Sequence, residues 1–227
     1  MHISWHEFAA GAEYVQALVG KIAATLTRAV DIHGRAGLAV SGGRSPIPIF
    51  KALSQASLPW EAVRITLVDD RFVPVEHPDS NERLVRTHLL HNKAAAAQFT
   101  GLVSHPDDIK ASVRQANQQT DRITLALLGM GDDGHTASLF PGALQLTECL
   151  APDTESRYLH VTPLQAPHER ISMTLNAILS AEHLILAISG ADKRHVLNRA
   201  AQGTNPALPI SYIVNQTGVP LDVYWHA

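Results

Sequence analysis

The strongest constraint on the fold is a regular exchange between two hydrophobic periods. Tyr14, Val15, Leu18, Val19, Ile22, Leu26 and Val30 recur at helical spacing, and Gly34 follows where such a helix should stop. Residues 37–40 then read as a short buried strand. Ser41-Gly42-Gly43-Arg44-Ser45-Pro46 leads from it into a helical stretch through Leu53, with Pro46 suited to a first helical turn. The exchange continues with a strand at 64–68, a helix at about 81–91, a strand at 99–103 and a weaker helix after Pro106. A strand at 123–128, a Gly-rich loop, a strand at 158–161, a helix at 168–179, a strand at 184–188 and a helix at 191–201 follow. Residues 209–214 and 222–225 are expected to be the last strands. Parallel strands need crossover connections, and helices supply them while covering the sheet. The expected fold is therefore α/β, a mostly parallel Rossmann-like sheet with helices on both faces.

Nothing divides this pattern into domains. The Ala94–Ala97 run and the 203–209 loop are too short to be linkers, and 227 residues with 45% apolar content can bury well over half of the unfolded surface, so a single domain over 1–227 is expected. One cysteine, Cys149, excludes an internal disulfide framework and a Cys-based zinc finger. The opening Met1-His2-Ile3-Ser4-Trp5-His6-Glu7 lacks the basic start and apolar run of a signal peptide, and no later segment approaches membrane-spanning length, which points to the cytoplasm. With 18 Lys+Arg against 21 Asp+Glu the net charge is −3, so no global field draws the chain to nucleic acid or anionic lipid. An anionic ligand must be held by cations gathered locally.

In open α/β sheets ligands sit beyond the carboxyl ends of the strands, and the unusual residues fall there. Ser41-Gly42-Gly43-Arg44 follows one strand, Asp69-Asp70-Arg71 a second, Gly129 to His135 a third, and Ser189-Gly190 with Lys193 a fourth. The small residues Ser41, Gly42 and Gly43 let backbone N–H groups approach an anion, with a hydroxyl as further donor; the Gly pair alone equally fits a plain strand-to-helix turn. The Gly-Lys-Ser/Thr ending of a Walker loop is missing. Gly129-Met130-Gly131-Asp132-Asp133-Gly134 matches the dinucleotide pattern, but Asp132 and Asp133 would set two negative charges against a pyrophosphate, and Pro141 interrupts the helix that should follow.

What the same loop presents is Asp133-Gly134-His135, a carboxylate beside the side chain best suited to proton transfer near neutrality. Arg170, placed at the start of a predicted helix, and Lys193 either supply charge to a phosphate or are solvated helix-end cations. His88 and His91 stand three apart with no third or fourth metal ligand of suitable spacing, and no G-x-S-x-G elbow exists for an acyl-serine mechanism.

Together, Ser41-Gly42-Gly43, Asp69-Asp70-Arg71-Phe72-Val73-Pro74, Ser80-Asn81 and Gly129-Met130-Gly131-Asp132-Asp133-Gly134-His135-Thr136-Ala137-Ser138-Leu139-Phe140-Pro141 resemble the 6-phosphogluconolactonase family, in order and spacing over nearly the whole chain. The resemblance implies hydrolysis of 6-phospho-D-glucono-1,5-lactone on a fold shared with glucosamine-6-phosphate deaminase, with no metal or organic cofactor. It implies His135 as base, with Asp133, Asp69 and Arg71 in the catalytic group. Ser41, Gly42, Gly43, Arg44, Asn81, Arg170 and Lys193 would bind substrate and phosphate. The implied partner is a small sugar-phosphate lactone, not nucleic acid or membrane, and both monomer and homodimer are compatible.

Two departures stand out. Asp70 replaces the commoner Glu of the Asp-Glu-Arg turn, and Arg44 replaces a small hydroxyl residue, either to reach the phosphate or to close part of the cradle. Two rival readings remain: an amino-sugar-phosphate isomerase or deaminase, and a non-catalytic sugar-phosphate sensor. The first needs a Glu before the loop's proline, where this chain has Phe140; the second would dispense with the base.

Overall fold

Helix α1 (Gly11–His33) forms along the predicted apolar stripe, burying Tyr14, Leu18, Ile22 and Leu26. It ends where Gly34 turns to φ 73° and donates its N–H to the Val30 carbonyl, a left-handed stop that glycine accepts without steric penalty. This computed structural model describes residues 3–227; the first two residues of the N-terminal stretch read above lie outside the described part.

The strands are β1 (Ile3–Phe8), β2 (Ala36–Val40), β3 (Val63–Leu67), β4 (Asp69–Arg71), β5 (Gln98–Thr100), β6 (Leu125–Leu128), β7 (Tyr158–Val161), β8 (Arg170–Met173), β9 (His183–Ser189) and β10 (Leu221–His226). After α1 come helices α2 (Ile47–Leu53), α3 (Asn81–His88), α4 (Ile109–Ala116), α5 (Leu146–Leu150), α6 (Leu175–Leu179), α7 (Ala191–Ala200) and α8 (Ile210–Val214). Seven strands form one sheet in the order β1-β10-β9-β6-β2-β3-β5, every pair parallel. Strands β2 and β6 are buried at every residue, as strands covered on both faces must be, and they read as unbroken apolar runs for that reason.

A second, antiparallel sheet, β4-β8-β7, carries part of the site. It is tied to the first where the Val68 N–H bonds the Val40 carbonyl and the Met173 N–H bonds the Val68 carbonyl. One continuous apolar core runs from Tyr14 through Leu38, Leu127 and Ile171 to Tyr224.

Several elements differ from the sequence expectation, among them β4 and α5, which local sequence did not announce. Residues 170–173, expected within a helix, are β8, antiparallel to both β4 and β7; the helix begins only at Leu175, after Thr174 caps it by accepting the Ala177 N–H. Residues 210–214, expected as a strand, are α8, because a short apolar run has no clear period and Pro209 at φ −55° starts a helix. Strand β1 escaped notice because it is an edge strand with a largely exposed pattern. Helix α3 stops at His88, so His88 and His91 do not share one helix.

Candidate active site

Because the large sheet is parallel, the carboxyl ends of β2, β6 and β9 open onto one edge, and the turns that follow them meet there. The cleft at that edge is lined by Ser41, Gly42, Gly43, Asp69, Arg71, Asn81, His135 and Lys193, with Leu127, Met130 and Tyr14 among its walls. A contiguous recess shares Asp69, Arg71 and His135 and adds Asp79, Phe140, His168 and Arg170. Tyr14 begins the apolar stripe of α1, and its signal is indistinguishable from core; that it faces the cleft follows only from where α1 packs.

The loop after β6 is folded on itself. The Gly131 N–H bonds the His135 carbonyl, the Gly134 N–H bonds the Gly131 carbonyl, and the Thr136 hydroxyl donates to the Gly129 carbonyl at 2.8 Å. A methyl group on Gly131 would lie 2.2 Å from His135 Cε1 and Nδ1, so glycine is what allows the imidazole to lie across the backbone. Gly134 takes φ 79° against Leu208, and its carbonyl accepts the Ile210 N–H, so α8 braces the loop from outside.

Asp133 Oδ1 lies 2.6 Å from His135 Nδ1 and also accepts the His135 N–H at 3.1 Å. The hydrogen bond to the imidazole is the leading reason that the Asp133 carboxyl is held below its ordinary range. An ionised carboxylate only accepts, so Nδ1–H is the donor of this hydrogen bond, and Nε2 is the ring nitrogen that Asp133 leaves unengaged. One face of the imidazole packs on Phe140, with ring centroids 4.4 Å apart.

Strand β4 arranges the second group. Asp69 is buried and accepts the Ser138 hydroxyl at 2.6 Å, while its carbonyl accepts from the Asn81 side-chain amide at 2.8 Å. Asp70 points the other way and takes the backbone N–H groups of Arg71, Asn81 and Glu82, which pins the start of α3 to the strand. Burial pushes the Asp70 carboxyl up to about 7 despite these donors. Arg71 extends beyond them and donates to the Asp79 carbonyl at 2.6 Å.

Several buried polar atoms in the site have no partner: the Ser41 hydroxyl, Asn81 Oδ1, and Arg170 Nε and Nη1. Buried polar groups in folded proteins are almost always satisfied, so this set marks where a polar ligand belongs. Gly42 is small because a Cβ there would meet Asn81 Oδ1 at 1.9 Å. Arg170 is not the solvated helix-end cation of the sequence reading. It sits on β8 opposite Arg71, is 4% exposed, and stands over the Phe140 ring. Burial first and Arg71 second pull its pKa down. Lys193 lies in the first turn of α7, after Gly190 at φ 85°, and reaches the main cleft. Arg44 is exposed and does not line the cleft, and Asp133 stands behind His135 without lining it. Ser138 and Phe140 belong to the quoted loop motif, yet their support of Asp69 and His135 shows only in three dimensions.

An anion cradle, a desolvated arginine and a carboxylate-paired imidazole at the carboxyl edge of a parallel sheet define a class: an α/β enzyme with an acid–base group beside an anion site. Residues 9–225 match the family model described as glucosamine-6-phosphate isomerases/6-phosphogluconolactonase. The 6-phosphogluconolactonase of Neisseria meningitidis is 45% identical, over 97% of this chain and 98% of that protein. A solved 6-phosphogluconolactonase from Shewanella baltica is 36% identical with a TM-score of 0.93, covering 99% of this chain and 98% of that one. A monomeric glucosamine-6-phosphate deaminase, 19% identical with a TM-score of 0.82 over 98% of this chain and 97% of its own, shares the fold. The chain belongs to the glucosamine-6-phosphate isomerase/6-phosphogluconolactonase family.

Proposed function

We propose that this protein hydrolyses 6-phospho-D-glucono-1,5-lactone to 6-phosphogluconate. The observation that carries the reading is the Asp133–His135 pair at 2.6 Å, set on the same cleft as the Ser41–Gly43 turn and Lys193. Family membership and the lactonase names of the full-length relatives support it.

In the proposed mechanism, His135 Nε2 takes a proton from water as the water oxygen bonds to the lactone carbonyl carbon. Asp133 holds the tautomer and stabilises the imidazolium that forms. Arg71, with amides of the 129–135 loop other than those of Gly131, Gly134 and His135, stabilises the oxyanion. The ring C–O bond then breaks, the imidazolium returns its proton to the departing ring oxygen, and the new carboxylic acid ionises. No covalent enzyme intermediate and no cofactor enter. The phosphate, remote from the reacting carbon, is assigned to Ser41, Gly42, Gly43, Asn81, Arg170 and Lys193, which supply orientation instead of chemistry. Asp69, anchored by Ser138, keeps Asn81 in the cradle. The reaction is assigned to the cytoplasm, with no nucleic-acid partner.

The division of roles is testable in stopped-flow assays of freshly generated lactone, corrected for spontaneous opening. His135→Ala is expected to lower kcat by roughly two to four decades with little change in KM, and Lys193→Ala chiefly to raise KM. Near-normal turnover by His135→Ala would refute the base assignment. The deaminase reading is disfavoured because Phe140, an apolar ring packed on His135, fills the position of the acid. Ammonia release from glucosamine 6-phosphate would reverse that choice.

A further inference from the structure

Beside the lactone cleft lies a side-chain cluster that the mechanism leaves unused. His77 and Asp79 come from the loop after β4, and His168 comes from the loop before β8. One ligand atom from each lies within 4.8 Å of the others. His168 Nε2 is 3.0 Å from Asp79 Oδ2, and His77 Nδ1 is 3.9 Å from the same oxygen. We propose that His77, Asp79 and His168 form a site for one divalent transition cation of the zinc type at the rim of the active cleft, and that its occupation inhibits the enzyme.

Around a tetrahedral ion with bonds of about 2.0–2.1 Å, ligand atoms stand about 3.3–3.4 Å apart. The two measured separations straddle that value, so a small rotation of His77 completes the set. His77 Nδ1 accepts the Asp79 N–H at 3.1 Å, so that nitrogen is unprotonated, and binding exchanges this hydrogen bond for the bond to the metal as the ring rotates. The loop is held by the His77 N–H on the Pro74 carbonyl and the Ser80 N–H on the His77 carbonyl. On the other side, His168 is one of the few non-glycine residues with positive φ, at 70°, and its ring meets that of His77 edge-on at 5.2 Å.

Two imidazoles with one carboxylate favour zinc, nickel or copper over magnesium or calcium. Three protein ligands leave a fourth position open, and Asp79 and His168 line the recess shared with Arg71, His135 and Arg170. Inhibition follows from charge. Arg71 already donates to the Asp79 carbonyl at 2.6 Å, and a dication bound to the same residue repels the guanidinium assigned to the oxyanion. The binding half of this inference stands apart from the lactonase reading; the inhibitory half rests on it.

The test is a Zn²⁺ titration of the full-length protein in competition with a chromophoric chelator, beside zinc inhibition of lactone hydrolysis. One site with low-micromolar affinity is expected, weakened at least about tenfold by His77→Ala and by His168→Ala, as loss of a ligand should. His77→Gln and His168→Gln replace either alanine variant that fails to fold. His135→Ala should bind zinc like the wild type, and zinc should inhibit the wild type at the concentration that fills the site. Unchanged affinity in both loop variants, loss of the site in His135→Ala, or no saturable binding would overturn the site. Binding without matched inhibition would overturn the inhibitory half. Zinc binding as expected in a protein without lactonase activity would count against the proposed function and leave the site standing.

Discussion

At Gly131 one missing methyl group decides where the imidazole lies. A Cβ there would stand 2.2 Å from the His135 ring, and the backbone of Gly131 is not in the left-handed region, so alanine is tolerable for the chain and intolerable for the ring. Gly131→Ala is therefore expected to lower kcat more than tenfold while shifting Tm by only a few degrees, because the displaced group is partly exposed and outside the core. Equal kcat in the variant and the wild type would mean that the imidazole works from another position. The residues of this loop were legible in the sequence because Asp, Gly and His in that order are chemically unusual after a strand. Arg170 was legible only as a charge. Its burial, its unpartnered nitrogens and its place over Phe140 depend on a strand that local sequence did not announce.

At the scale of elements, Asp222 joins four of them. The carboxylate on β10 binds His6 of β1 at 2.8 Å, His183 of β9 at 2.7 Å and Lys21 of α1 at 2.8 Å. Burial works to raise its pKa, but the hydrogen bonds from Lys21, His6 and His183 outweigh burial and bring it from 3.8 down to about 2. A carboxyl depressed on folding contributes stability above its unfolded pKa and loses that contribution as pH falls through the folded value. The linkage amounts to about 2 kcal/mol, present above about pH 4 and gone near pH 2. The gap in unfolding free energy between wild type and Asp222→Asn should accordingly shrink as pH is lowered from 7 to below 3; a gap independent of pH would show that the ion cluster is not the source. The elements differ in how well the sequence announced them. Helix α1 and strands β2 and β6 were plain because a strong period or an unbroken apolar run survives without its neighbours. Strands β4 and β8 exist because they pair with each other, and three- or four-residue segments carry no period of their own.

For the molecule as a whole, the two sheets share one core and are hydrogen-bonded through Val68, with Ile171 of β8 and Leu67 of β3 both fully buried. We propose that residues 1–227 therefore unfold as one cooperative unit. Fluorescence of the three tryptophans, Trp5, Trp60 and Trp225, and far-UV circular dichroism should report a single coincident midpoint. Separate midpoints would show that part of the structure melts independently of the large sheet that carries Trp5 and Trp225. No helix among the described residues is long and apolar enough to cross a membrane.

The amino-acid sequence by itself determined the alternation of strand and helix, the edge at which the unusual residues gather and the Asp-Gly-His loop at that edge. Each of these is written in local period or local chemistry. Tertiary structure alone decided that Arg170 is desolvated over Phe140 and that His77 and His168 meet at the rim of the cleft. Those facts are distances between residues far apart in the chain, and they are set by how the second sheet docks on the first.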